Sequence, residues 1–172
     1  MSSSGTRYYG IYTGTVTNNV DPMQLGRIQA TVPAVGGLTP STWARPCFAF
    51  TGEGMGVFAV PMVGAKVWIQ FEGGEADYPV WMGGRYESQS EVPTLAMAGI
   101  PGDANYVIGS LLKHTFVISD VPGPTGGLML RSAGGATIIV NDTGIFIQNG
   151  KGASIVLSAS TVTVNNGALV VT

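Results

Sequence analysis

The chain has 172 residues and a net charge of −2, and charged residues make up only 10% of it although 45% are apolar. Eight Lys and Arg residues are too few for the basic stripe of a typical nucleic-acid-binding protein. The single cysteine, Cys47, excludes an internal disulfide framework and a cysteine-based zinc site. The Ser-rich N-terminus lacks the apolar stretch of a signal peptide, and no run reaches the ~18 apolar residues of a membrane helix. We therefore expect a protein that is made in the cytoplasm without a signal peptide.

High glycine content and short alternating segments indicate an all-β protein. The 26 glycines are roughly twice the usual share of about 7%. After a flexible N-terminus, residues 1–7, the pattern predicts five strands: Tyr8–Val16, Gly26–Val32, Met55–Val60, Lys66–Phe71 and Tyr78–Met82. Five short strands with Gly, Pro and Asn turns suit a five-stranded OB-fold barrel over residues 8–86.

A connector is predicted over residues 87–110, because Pro93, Pro101 and several glycines interrupt any periodicity there. Beyond it, residues 111–172 form a separate zone, and from Thr137 onward this zone repeats a short unit that contains two apolar residues separated by one position. These pairs are Ile138 and Val140, Ile145 and Ile147, Ile155 and Leu157, Val162 and Val164, and Leu169 and Val171. Turn residues such as Asn141-Asp142-Thr143-Gly144 separate the units, so each unit is predicted to be a strand with an apolar face.

Strands of this kind cannot bury their apolar face alone. Two apolar side chains per strand are too few for a monomeric sandwich, and a flat ribbon leaves its edges open. Three chains around one axis, each contributing one wall, solve both problems. We therefore predict an intertwined trimeric β-prism or β-helix, with the ten paired residues as its core. A single-chain β-helix is the alternative.

Residues that could carry catalysis have simpler interpretations. His114 is the only histidine and has no second histidine or cysteine nearby, so an inter-subunit polar contact is the better interpretation. Glu72, Glu75 and Asp77 could act as paired glycosidase carboxylates, but they also suit the charged tip of a hairpin. Cys47 lies between apolar residues and is predicted to be a buried thiol. We expect no catalytic site, metal site or cofactor, and therefore not an enzyme.

Aromatic and arginine residues of the predicted OB-fold barrel, residues 8–86, are assigned to its core or to subunit contacts. The tryptophans could stack on single-stranded nucleic acid, as OB-folds often do, but the acidic balance argues against this. Arg27 and Arg45 suit bidentate pairing with a carboxylate, either Asp21 or Glu72, and the sequence does not decide which. The residues assigned to core or interface are Trp43, Trp68, Phe71, Trp81, Arg27 and Arg45.

Ordered motifs over residues 9–86 resemble a known family. They are Tyr9-Gly10, Gly14-Thr15-Val16, Asp21-Pro22-Met23-Gln24-Leu25-Gly26-Arg27, Trp43-Ala44-Arg45-Pro46, Pro61-Met62-Val63-Gly64, Val67-Trp68-Ile69-Gln70-Phe71-Glu72-Gly73-Gly74 and Pro79-Val80-Trp81-Met82-Gly83-Gly84. Together they resemble the OB domain of phage baseplate assembly protein V, of central spike proteins, and of the valine-glycine repeat proteins of type VI secretion. His114–Gly123 resembles the strand that opens the spike shaft, and the remaining residues fit its β-helical needle.

This resemblance implies the central spike subunit of a contractile phage tail or phage-tail-like injection system. It implies a homotrimer that is seated on a baseplate hub protein within the virion or tail-like particle, and whose needle pierces the target cell envelope. The connector is too short for the lysozyme domain of T-even phage spikes, and the C-terminus has no His-x-His iron site. A PAAR-type tip protein is therefore expected to cap the needle at Leu169, Val170, Val171 and Thr172. An OB-fold nucleic-acid module and a small tail-associated cell-wall hydrolase remain the alternatives.

Overall fold

A computed structural model describes residues 5–100, 102–103 and 105–171, so most of the predicted flexible N-terminus lies outside the described residues. The chain divides into an N-terminal unit, residues 1–87, and a C-terminal unit, residues 88–172. Both are built from strands, so the all-β prediction is confirmed. Within the described ranges, none of the helices is long and apolar enough to cross a membrane.

The N-terminal unit contains one five-stranded sheet, a two-stranded hairpin, one α-helical turn and one 3-10 turn at Glu72–Gly74. Its elements are β1 Tyr12–Asn18, β2 Gln29–Thr31, α1 Pro33–Gly36, β3 Arg45–Pro46, β4 Thr51–Gly52, β5 Met55–Gly56, β6 Lys66–Phe71 and β7 Pro79–Arg85. The five-stranded sheet has the order β2-β1-β6-β7-β3 and is antiparallel except where β3 pairs with β7. The hairpin β4–β5 stands apart from this sheet.

Alternation along the strands places the core of the N-terminal unit. In β6, Val67, Ile69 and Phe71 are buried whereas Trp68 between them is exposed, as period-2 alternation predicts. The cluster of buried apolar residues is Val16, Ile28, Ala30, Val32, Ala44, Val67, Ile69, Phe71 and Trp81. This unit therefore encloses a core made by its own residues.

Several strands of the N-terminal unit differ from their predicted bounds. The strand predicted over Tyr8–Val16 begins at Tyr12, and the one predicted over Gly26–Val32 spans only Gln29–Thr31. The strand expected over Met55–Val60 is reduced to Met55–Gly56, because Gly56 adopts φ +145, which ends the extended run. The two-residue strand β3 was not predicted, since Arg45–Pro46 is short and contains proline. It pairs only with β7, at the edge of the sheet, which is where proline is tolerated.

The C-terminal unit contains one eight-stranded antiparallel sheet and three 3-10 turns, at Gln89–Glu91, Thr94–Met97 and Asn165–Gly167. Its strands are β8 Tyr106–Gly109, β9 Thr115–Ser119, β10 Gly127–Arg131, β11 Thr137–Asn141, β12 Gly144–Gln148, β13 Ser154–Ser158, β14 Thr161–Val164 and β15 Leu169–Val171. They follow one another in chain order, so the sheet is a meander rather than the parallel coils of a single-chain β-helix. The sheet begins within the segment predicted as the connector, because β8 precedes residue 110.

Asparagine side chains form the turns of this meander. The side-chain oxygen of Asn141 accepts a hydrogen bond from the Thr143 N–H at 2.9 Å, and that of Asn149 accepts one from the Lys151 N–H at 2.8 Å. Such bonds imitate a backbone turn and stabilise a sharp reversal of the chain. The turn residues that the sequence places between the apolar pairs therefore connect neighbouring strands.

Candidate trimer interface

One face of the C-terminal sheet is apolar along its whole length. Ile147 lies opposite Ile138 on one side and Ile155 on the other, and cross-strand partners of an antiparallel sheet share a face. The ten residues predicted as the trimer core all lie on this face: Ile138, Val140, Ile145, Ile147, Ile155, Leu157, Val162, Val164, Leu169 and Val171. Ile108, Phe116, Ile118, Leu128 and Leu130 extend it through β8–β10, and we call the whole surface the apolar face.

The single chain leaves the apolar face uncovered. Phe116, Val162 and Val164 are half-buried, and the exposure of its other side chains ranges from 37% at Ile145 to 72% at Ile108. Apolar area costs about 25 cal/mol for each Å² that stays in contact with water, and large exposed apolar patches mark interaction sites. The geometry therefore requires another surface on this face.

The opposite face carries a single apolar row between polar flanks. Val117 is 4% exposed, and the other members of the row are half-buried. The row consists of Val107, Val117, Met129, Ile139, Phe146 and Val156. The alternation of the sequence predicted one apolar face for each strand, and this second row was missed. The signal was present in the sequence as the central residue of each five-residue strand.

A buried ion pair organises the loop between β1 and β2 in the N-terminal unit. The Arg27 guanidinium donates from Nη2 and Nε to Asp21 Oδ1 at 2.6 and 3.0 Å. The backbone N–H groups of Met23 and Leu25 also donate to this carboxylate, whose side chain is 4% exposed. The hydrogen bond from Arg27 holds the pKa of Asp21 well below its usual range, and the same bond raises the pKa of Arg27.

Two family models match the chain, and each corresponds to one of its two units. Residues 12–86 match the OB domain of the type VI secretion system and phage-baseplate injectors. Residues 105–170 match the phage baseplate V C-terminal trimerisation domain. The chain belongs to the phage baseplate V spike family. No curated protein sequence matches it significantly.

Membership in the baseplate V spike family confirms the predicted OB-fold and supports self-association as a homotrimer. The apolar face lies within the residues that match the trimerisation domain. Family membership also identifies a structural protein of a phage or type VI baseplate, which assembles into such a particle. The surface that a monomer leaves open thus coincides with the part of the family that associates in threes.

The residues assigned to core or interface occupy different places in this spike-family OB domain. Trp81 is buried, and its Nε1 donates to the Gly26 carbonyl at 3.1 Å. The Arg27 guanidinium lies 5.4 Å from the Trp43 ring centroid. Trp68 is instead exposed on the outer side of β6, and Phe71 packs against two tyrosines of the same unit.

Two residues of the acidic cluster Glu72, Glu75 and Asp77 form ion pairs with arginines. Glu72 forms an ion pair with Arg45, and Glu75 forms one with Arg7. The choice that the sequence left open is thus resolved, because Asp21 pairs with Arg27 and Glu72 with Arg45. Across the described part of the chain, no three His, Cys, Asp or Glu residues are grouped as metal ligands.

Two further predictions concern His114 and Cys47. His114 is exposed, and its Nδ1 accepts a 3.4 Å hydrogen bond from the Ala133 N–H within the same chain. The prediction that Cys47 is buried is wrong for the single chain, because its side chain is exposed. Its backbone N–H donates to the Trp81 carbonyl at 2.9 Å, so it is the backbone of Cys47 that is fixed beside β7.

Proposed function

We propose that three copies of this chain form the central spike of a contractile phage tail or phage-tail-like injection system. The N-terminal OB unit is seated on a baseplate hub protein, and the C-terminal sheets form a needle that pierces the target cell envelope. The observation that carries this proposal is the uncovered apolar face within the residues that match a trimerisation domain.

Three such sheets can enclose an axis, each acting as one wall of a prism. The apolar side chains of the three walls then meet at the centre and leave water, which is the main favourable term in association. Every interior strand of each wall is already hydrogen-bonded on both sides within its own chain. A shaft of this kind is stiff because bending it breaks strand pairing and core packing together, as mechanical penetration requires.

The last strand offers a surface for a tip partner. Within the described residues β15 pairs with β14 alone, so it is an edge strand, and Leu169 and Val171 on its apolar face are exposed. An uncovered strand edge readily pairs with another chain. This supports a PAAR-type protein as the cap. Of the residues assigned to the tip contact, Thr172 and the side chain of Val170 lie outside the described residues.

Light scattering on a sizing column tests the assembly. We expect a mass three times 17.8 kDa that persists in mild detergent. A monomer of 17.8 kDa would remove the basis of the proposal. The place in the particle is tested by labelling purified particles with an antibody to this chain. Electron microscopy should then show label at the baseplate end of the tail, and label along the sheath or head would contradict the spike.

A further inference from the structure

The charged residues of the C-terminal sheet are separated by sign. Cations lie on one of the two sides of the sheet along which its turns run, and anions lie on the other. We call these two rows of turns the lateral edges of the sheet. Turns of a meander alternate between the edges, and Lys113, Arg131 and Lys151 all lie at turns or strand ends on one of them, which we call the basic edge. Asp120 and Asp142 lie at the turns on the other, which we call the acidic edge. These five are the only Lys, Arg, Asp and Glu residues in 105–171.

The register of the sheet fixes this assignment. Arg131 pairs with Thr115, which begins β9, so Arg131 and the turn that holds Lys113 share an edge. Thr137 lies opposite both Arg131 and Gln148, which brings the turn holding Lys151 to the same edge. The turns after Ser119 and Asn141, which hold the two aspartates, therefore lie at the opposite ends of the strands.

None of these five side chains forms an ion pair with another residue that the structure describes. Each side chain is exposed, and the ion pairs found among the described residues all lie between Arg7 and Glu87, in the N-terminal unit. Asp142 accepts a 3.2 Å hydrogen bond from the Gly123 N–H, which holds two turns of the acidic edge together. On the basic edge, the His114–Ala133 hydrogen bond links the corresponding turns.

A cyclic trimer brings opposite edges together. Its interfaces are heterologous, so one edge of each sheet meets the other edge of the next sheet around the axis. Successive turns on opposite edges differ in height by about one strand spacing, 4.8 Å. Going along the sheet, the charges alternate in sign as Lys113, Asp120, Arg131, Asp142 and Lys151. Lys and Arg side chains are long enough to span that offset between neighbouring sheets.

We propose that the basic edge of each C-terminal sheet pairs with the acidic edge of the next copy and that these contacts fix the register of the trimer. The inference rests on the trimeric spike proposed above, and the occupant of each edge is a second copy of this chain. A hollow on the basic side of the apolar face supports this, because Phe116, Leu130, Ile138 and Ile147 line it together with His114 and Asn149. The neighbouring sheet fills that hollow.

The apolar face alone does not determine the register. Its units carry nearly interchangeable Ile, Val and Leu pairs, so a slip of two strands along the axis still matches apolar with apolar. The charges are not interchangeable in this way, because the later turns, Ala159-Ser160 and Asn165-Asn166-Gly167, are uncharged. A slipped register leaves some cations beside uncharged turns, and opposite-charge contacts are what exclude wrong pairings at such interfaces.

Charge exchange on the full-length chain tests the pairing. One variant combines Asp120→Lys with Asp142→Lys, a second combines Lys113→Glu, Arg131→Glu and Lys151→Glu, and a third carries all five changes. In each of the first two variants the meeting edges carry the same sign, so we expect the trimer to dissociate on the order of tenfold faster at low salt. The third variant restores opposite signs on the meeting edges, so its trimer should dissociate at the wild-type rate. Salt above physiological ionic strength should reduce the differences in dissociation rate between these variants and the wild type.

A control with matched net charge separates edge pairing from a general charge effect. The control combines Glu53→Lys with Asp77→Lys, which lie at exposed sites in the N-terminal unit and change the net charge as the two-aspartate variant does. It should leave the rate of trimer dissociation unchanged. If the wild type is a trimer and the first two variants behave like this control, edge pairing is wrong and the spike still stands. Failure of the five-residue variant to recover would also overturn edge pairing. A monomeric wild type would instead overturn the spike itself.

Discussion

The two units of this protein differ in where their apolar and charged side chains find partners. The N-terminal unit packs Ile28, Val67 and Ile69 fully inside its own sheet and pairs its arginines with carboxylates of the same unit. Among the described residues of the C-terminal unit, only Val117, Ser119 and Gly126 are buried, while a long apolar face stays in contact with water. The first unit is therefore stabilised as a single chain, and the second depends on assembly.

Sheet geometry explains this contrast. An antiparallel bridge between Ile28 and Ala44 joins the two ends of the five-stranded sheet, so that sheet covers its inner face. A single-layer meander has no second layer to pack against. Glycine and asparagine turns make each C-terminal hairpin possible locally, but they provide no cover for it. Burial of the apolar face must come from other copies, which places the stability of the needle in its interfaces.

Charge on the apolar face should have the largest effect. Ile147→Asp places three carboxylates near one another at the trimer axis, and burying each unpaired ion costs several kcal/mol. We expect loss of the trimer by light scattering, while the N-terminal unit stays folded. Thr163→Asp is the matched control on the opposite face, where Thr163 lies opposite Val156, and it should leave the mass unchanged. A soluble folded trimer of Ile147→Asp would refute the proposed core.

A cavity in the core of the N-terminal unit should lower the stability of that unit and leave the trimer intact. Ile69 is fully buried, so Ile69→Ala should lower the free energy of unfolding of that unit by about 2–5 kcal/mol. All three tryptophans, Trp43, Trp68 and Trp81, belong to this unit, so their fluorescence in denaturant reports it selectively. The trimer mass should not change. Ile11→Ala, at an exposed position, is the control and should shift stability by less than about 0.5 kcal/mol.

Acid should weaken the N-terminal unit through Asp21. Below about pH 4 an unfolded aspartate binds a proton, whereas folded Asp21 stays ionised because Arg27 lowers its pKa. The unfolded state then binds more protons than the folded state. The stability that Asp21 contributes is therefore present in full above about pH 4 and falls as the pH is lowered. Urea titrations followed by tryptophan fluorescence should show this slope, and Asp21→Asn should reduce it. Some slope should remain, because Arg85 and Lys66 also lower the pKa of Glu87.

The exposed pair Arg45–Glu72 should have the smallest effect. Both side chains are more than half exposed, so water and salt screen their attraction. A double-mutant cycle with Arg45→Ala and Glu72→Ala should give a coupling energy of at most about 1 kcal/mol, declining with salt. A larger coupling would mean that another surface covers this pair, and the N-terminal unit would then be less self-contained than its single-chain structure indicates.

Short-range patterning predicted much of both units. Alternation in Lys66–Phe71 identified the strand β6 and its buried face correctly, and the same rule placed Ile138, Ile147 and their partners on one face of the C-terminal sheet. The prediction that Met55–Val60 is one strand was wrong, and the parallel pairing of Arg45–Pro46 with β7 was missed. Those features depend on a glycine dihedral angle and on a contact distant in sequence.

Local residue patterns were therefore enough to predict the all-β class, the apolar pairs and the turns between them, because each depends on residues only a few positions apart. The pairing of Asp21 with Arg27 and of Glu72 with Arg45 was decided by tertiary structure, as was the apolar row opposite the apolar face. The separation of Lys113, Arg131 and Lys151 from Asp120 and Asp142 was also decided there, since strand order and register set which turns share an edge. Such long-range placement has no local signature, because alternation fixes which way a side chain points and not which strands become neighbours.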